Sequence, residues 1–152
     1  MQPQILVGFD FSSASQKALV WAADLQRTTQ GKSVHVIYVV NPLPVVAAAE
    51  TASLSLLSPE DIATIRGALT EAVQKVSVEA TSEILISGSP GAALVEAARQ
   101  LKSDLIVLGT HGRGALSRLL VGSVAEYVLR HASVPVLTIR ESTAPLRSVE
   151  AA

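Results

Sequence analysis

The segment Asp104–Arg140, DLIVLGTHGRGALSRLLVGSVAEYVLRHASVPVLTIR, decides the fold. It opens with the apolar run Leu105–Leu108, too short for an independent helix and stopped by Gly109. Such a run predicts a buried strand of a parallel sheet. A glycine-rich loop follows, with Gly109, Gly112, Gly114 and, further on, Gly122. Ser123-Val124-Ala125-Glu126 then has the form of a capping box, in which Ser123 caps backbone amides and Glu126 reaches back, so a helix is expected from Ser123 to about His131. Strand, glycine loop and helix N-terminus form an anion-binding arrangement: free N–H groups project from the first turn, the macrodipole favours negative charge there, and glycines admit a close backbone approach. A phosphate-bearing ligand is the first expectation. Val134–Ile139 reads as the last strand, with Pro135 near its start.

The same grammar runs through the rest of the chain. Ile5–Phe9 is an apolar run ending at Asp10, with Ser12 and Ser13 behind it as cap candidates. Ala14, Ala18, Trp21, Ala22 and Leu25 recur at helical spacing, and Gly31 is expected to close that helix. Ser33–Val40 is a second buried strand, stopped by Asn41-Pro42. Gly31-Lys32-Ser33 imitates the end of a P-loop, but position 26 is Gln and a strand follows where a helix is needed. Ser58-Pro59-Glu60-Asp61 is a strong helix start, with Ile62, Ile65, Leu69, Val73 and Val76 as the expected buried stripe. Ile84–Ile86 predicts a short strand, and Ser89-Pro90 a third helix with Ala93, Leu94, Ala97, Ala98 and Leu101 facing inward.

Five strands alternating with four helices predict an α/β fold with a parallel, doubly wound sheet and helices on both faces. A single reversal of strand order would open a crevice at the carboxyl ends of the first and fourth strands. Asp10 and Gly109 both stand at such ends, so two separate signals converge on one place.

Composition narrows the function classes. Apolar residues make up 49% of the 152 and aromatics only 3%, so the core must be built from Val, Leu, Ile and Ala. A formal charge of −1 argues against a nucleic-acid surface. The absence of cysteine excludes disulfides and thiolate metal sites. No apolar stretch reaches the roughly 18 residues of a spanning helix, and Met1 leads straight into a strand-like run, so a cytoplasmic protein without membrane contact is expected. Residues 1–141 read as one domain and 142–152 as a frayed tail. The long apolar connection Asn41–Leu57 is expected to act as a flap or a partner-facing surface, or simply to fold onto its own domain. Enzyme templates fit poorly: there is no G-x-S-x-G elbow, no third dinucleotide glycine and no acid–base pair beside a nucleophile. His35 and His131 read as structural, and Trp21 as core.

Gly109-x-x-Gly112, nine residues, then Gly122-Ser123 resembles the nucleotide-binding signature of the universal stress protein family. ILVGFDFSSASQKAL and VHVIYVVNP resemble that family's opening strand with its Asp turn and its second strand, so the likeness runs from Gln4 to Arg140. The resemblance implies a Rossmann-like sheet in the order 3-2-1-4-5 and an ATP (or ADP, AMP or cAMP) site. Phosphates would lie on the loop from Gly109 through His111, Gly112 and Arg113 to Gly122, Ser123 and Val124, with Leu108 leading into it. Gly8, Asp10 and Ser12 would flank the ligand, Asp10 beside the ribose or a phosphate-bound Mg or Mn ion, and backbone at Val39 would touch adenine. It further implies a homodimer through the fifth strand, in keeping with an apolar edge (Val136, Leu137, Ile139) that needs cover. The branch similar to universal stress protein A lacks the glycines and does not bind ATP; this chain keeps them. Asn41 stands where an Asp is common, and Arg113 follows the second glycine, where it can pair with a phosphate. Two rival functions stay open: a slow ATPase or phosphotransferase using Asp10 and a divalent metal, and a nucleotide-free interaction module.

Overall fold

The computed structural model describes residues 3–42, 58–76, 78–110 and 121–141. Its elements in chain order are β1 (Gln4–Gly8), α1 (Ser13–Thr29), β2 (Ser33–Val40), α2 (Pro59–Gln74), β3 (Ala80–Ile86), α3 (Pro90–Gln100), β4 (Leu105–Gly109), α4 (Ser123–His131) and β5 (Val136–Ile139). The five strands are all parallel and lie side by side in the order β3-β2-β1-β4-β5.

β1, β2 and β4 are almost wholly apolar because helices cover both faces of the sheet. Successive side chains alternate between those faces. On one, Ile5, Val7, Val34, Val36 and Val107 pack with Ala18, Leu19 and Ala22 of α1 and Leu69 of α2. On the other, Leu6, Ile37, Ile106 and Leu108 meet Leu94, Ala97 and Ala98 of α3 and Ala125 and Val128 of α4. The register Val7↔Val36 and Val7↔Val107 centres β1 between its two neighbours. The chain moves outward from β1 in both directions, so the reversal falls between β1 and β4, and their carboxyl ends open on the same side.

Several boundaries differ from the sequence-based expectation. β3 begins at Ala80, four residues before the expected Ile84. As an edge strand it leaves Thr81, Glu83 and Ile86 exposed, which dilutes its apolar signal. β5 is shortened to start at Val136: Pro135 stays outside the strand and contributes its carbonyl to the Ile106 amide at 3.0 Å. Of the stripe expected in α2, only Leu69 is fully buried within the helix, while Ile62 and Ile65 stay half-buried. Gly31 follows α1 as expected, but Gln30 takes the left-handed turn (φ 51°). Gly31 is glycine for a different reason, since a Cβ there would lie 2.9 Å from the Pro3 carbonyl oxygen.

The residues read as structural are structural. Trp21 packs, partly buried, on the α1 side of the core. His35 shares hydrogen bonds with Thr81 (2.7 Å), Gln4 (3.0 Å) and Ser33 (3.1 Å), tying three elements at the amino end of the sheet. His131 stacks on Tyr127 at 4.0 Å in the last turn of α4.

Candidate functional site

A cleft of about 560 Å³ lies over the carboxyl ends of the strands, at the reversal point. Its walls are Asp10 from the β1–α1 turn, Tyr38, Val39 and Asn41 from the end of β2, Gly109 and Thr110 from the end of β4, and Gly122 to Ala125 from the start of α4. A narrower extension of about 140 Å³ adjoins it, floored by Gly8, Ile37, Leu94 and Leu108. The larger volume falls within the roughly 300–1,000 Å³ usual for small-molecule sites. A hollow of similar volume runs along α2 and, among the described residues, is lined by that helix alone.

Most of the expected site residues are brought together here. Gly8, Asp10, Val39, Leu108, Gly109, Gly122, Ser123 and Val124 all line the cleft or its extension. Ser12 does not; its hydroxyl accepts the Ser15 amide at 3.2 Å and caps α1. His111, Gly112 and Arg113 lie outside the described residues, as do residues 43–57 of the long connection and the tail from residue 142. Tyr38, Asn41, Thr110 and Ala125 were not anticipated as wall residues. Thr110 and Ala125 adjoin residues that were, and Tyr38 carried one weak signal: a polar-tipped ring at the end of an otherwise apolar strand.

Three local details decide what the cleft can hold. First, α4 has no side-chain cap. Gly122, not Ser123, is the N-cap residue, and Ser123 becomes the first helical residue with its side chain exposed. The expected capping box therefore does not form, and Glu126 instead accepts from Arg130 at 2.9 Å. The cause is a clasp at the loop ends: the Gly122 amide donates to the Thr110 carbonyl at 2.6 Å, and its own carbonyl accepts from the Glu126 amide at 2.9 Å. Gly122 thus has no amide to offer a ligand. The next three, on Ser123, Val124 and Ala125, have no acceptor among the described residues and stand along the cleft.

Second, Asp10 is oriented by the turn it belongs to. Its Oδ1 accepts the Ser12 amide at 3.0 Å, and its own amide donates to Ser15 Oγ at 3.3 Å. Ser15, only 2% exposed, donates in turn to the Ser12 carbonyl at 3.0 Å. Asp10 is the one carboxylate among the wall residues, and no cluster of three or more His, Asp or Glu side chains occurs among the described residues.

Third, the glycines at the strand ends serve packing. A Cβ on Gly109 would come within 2.9 Å of Ala14 and of the Ser15 backbone nitrogen, where α1 crosses the strand end. A Cβ on Gly8 would collide with the Leu108 side chain. Both permit the approach of other parts of the fold beneath the cleft, whatever ligand the cleft takes.

A parallel sheet wound outward in both directions, with a cleft at its reversal point and a helix start beside it, defines the doubly wound, Rossmann-like class. Within that class the chain belongs to the universal stress protein family, whose sequence profile matches residues 1–140. Universal stress protein MJ0531 of Methanocaldococcus jannaschii is 34% identical over 145 residues, covering 91% of this chain and 82% of the relative. The solved structure of a universal stress protein in complex with cAMP aligns with a TM-score of 0.67 and 24% identity, over 93% of this chain and 98% of that one. The universal stress protein of Archaeoglobus fulgidus in complex with dAMP aligns with a TM-score of 0.65 and 22% identity, over 91% and 98%. Among the described residues no helix is long and apolar enough to cross a membrane.

Proposed function

We propose that the chain binds an adenine nucleotide in the cleft between β1, β4 and α4. The observation that carries this reading is the start of α4: three successive amides without an acceptor among the described residues, on the positive end of a helix, beside a cleft of small-molecule size. A phosphate would receive these amides and the Ser123 hydroxyl. Val39, at the end of β2, would offer backbone to the adenine ring, and Asp10, an acceptor only, suits ribose hydroxyls or a phosphate-bound Mg or Mn ion. Two family members whose fold this chain shares were solved with cAMP and dAMP, which supports the adenine class.

The reading extends to a regulatory role. The nucleotide acts as a signal, its occupancy changing which partners dock on a cytoplasmic homodimer joined along the β5 edge. The proposal is of binding and signalling; among the described wall residues Asp10 is the one carboxylate. Calorimetric titration with ATP, ADP, AMP and cAMP, with and without Mg, tests the binding. Saturable heat with at least one of them is expected; no heat with any would leave the cleft a structural hollow and the protein a plain interaction module.

A further inference from the structure

Among the described residues three non-glycine residues have positive φ: Phe11, Gln30 and Lys102. Gln30 is the C-cap of α1, and Lys102 follows Leu101, the C-cap of α3. A left-handed residue is an ordinary way to end a helix. Phe11, at φ 64°, has no such reason: it precedes the N-cap of α1, inside the turn that carries Asp10. A bulky side chain in that conformation is strained and persists only where its surroundings over-determine it.

The Gln16 side-chain amide donates to the Phe11 carbonyl at 3.3 Å, and around the Phe11 side chain the contacts are aromatic. The chain has two Phe, two Tyr and one Trp, and three of these five meet here. The Phe11 ring lies edge-to-face between Phe9 (5.1 Å, 74°) and Tyr38 (5.2 Å, 63°), the favoured geometry for aromatic pairs. Phe9 is anchored in the core at 4% exposure, and Tyr38 belongs to the cleft wall. Asp10 is therefore flanked in sequence by two rings that are locked to one another. Its carboxylate accepts the Ser12 amide across Phe11, so the φ of Phe11 sets how Asp10 stands relative to Ser12.

We propose that Phe11 is a positioning residue: the Phe9–Phe11–Tyr38 contact holds a strained backbone that aims the Asp10 carboxylate at the cleft. Tyr38 is at once brace and wall, so whatever occupies the cleft also loads the turn. The binding arm of the test rests on the nucleotide reading above; the exchange arm does not.

The test compares Phe11→Leu with Phe11→Gly in the full chain. Leu keeps the steric penalty at positive φ but loses both ring contacts; Gly loses the rings too, yet adopts φ 64° freely. Two quantities are read: hydrogen exchange at the Ser12 amide in nucleotide-free protein, relative to a core amide such as Val36, and the Kd for Mg·ATP. Phe11→Leu is expected to speed Ser12 exchange and weaken Mg·ATP by about tenfold each, with Phe11→Gly recovering a good part of both losses. Gly worse than Leu, or both indistinguishable from the parent, overturns the proposal and leaves Phe11 as core filler. Should Phe11→Gly fail to fold, Phe11→Asn, which also tolerates the left-handed region, takes its place with the same expected order. A parent protein that binds no Mg·ATP sinks the nucleotide reading alone, and the Ser12 exchange order still decides the role of Phe11.

Discussion

α2 and α4 begin with the same written instruction and carry it out differently. Ser58-x-x-Asp61 and Ser123-x-x-Glu126 both have the form of a capping box. At α2 the box closes: Ser58 Oγ accepts the Asp61 amide at 3.1 Å, while Asp61 Oδ2 accepts the Ser58 amide at 2.8 Å and its hydroxyl at 2.8 Å. At α4 the helix starts one residue early, on Gly122, so Ser123 and Glu126 are out of phase for reciprocal bonds. Pro59 sets the first helical position of α2, and the Thr110 carbonyl sets that of α4 by drawing in the Gly122 amide. A helix start whose cap closes on itself offers fewer free donors to a ligand. One denied its cap by a backbone clasp keeps its donors for something else.

That contrast can be broken experimentally. The largest effect is expected from Ser123→Pro. Proline is well tolerated at the first helical position, and Gly122 already has the extended backbone (φ −60°, ψ 152°) that a following proline requires. The change deletes one amide and one hydroxyl from the cleft without unmaking a hydrogen bond among the described residues. Loss of a hydrogen bond to a charged group, about 1.5–3 kcal/mol, corresponds to a fall in ATP affinity of roughly ten- to a hundredfold. Unchanged affinity by calorimetry would mean that the α4 amides do not hold phosphate, however well the nucleotide binds.

Smaller, and on stability rather than binding, is the effect of removing each serine's hydroxyl. Ser58→Ala should cost about 1 kcal/mol in urea unfolding, the usual worth of an N-cap, whereas Ser123→Ala should leave the unfolding midpoint where it was. Equal losses at the two positions would erase the distinction between the helix starts. The smallest effect is in acid. The Ser58 backbone amide, and after it the Ser58 hydroxyl, hold the Asp61 carboxyl below the ordinary value of 3.8. A carboxyl lowered on folding stabilises the protein above its unfolded pKa, and that contribution fades as pH falls through the folded value. Asp61→Asn should therefore flatten the acid limb of the stability curve below about pH 4, slightly, because the group is solvent-exposed. An acid limb identical to the parent's would show that the box does not survive in solution.

The two helix starts also mark how far the residues could be read without coordinates. β1, β2 and β4 were legible because burial on both faces leaves unbroken apolar runs, and the meeting of Asp10 with Gly109 followed from the order of strands and helices alone. β3 was legible only from Ile84 onward, since an edge strand with exposed Thr81 and Glu83 mixes its signal with that of a loop. The phase of α4 was illegible for a sharper reason. It is set by Thr110, whose hold on Gly122 is a backbone contact that side-chain identity does not encode. Gly109 carries a second demand that the residues alone did not show: it stands in the cleft wall, and a Cβ there would also meet the start of α1. Tyr38 and Asn41 reach the cleft wall only because β2 lies beside β1, a proximity visible once the sheet is assembled.

The 2.6 Å bond between Thr110 and Gly122 has one more consequence. It pins the end of β4 to the start of α4 through main chain alone. Since neither side chain takes part, substitutions at Thr110, or any at Gly122 short of proline, leave donor and acceptor in place. The spacing of two cleft walls is thereby insulated from drift in the residues that form it.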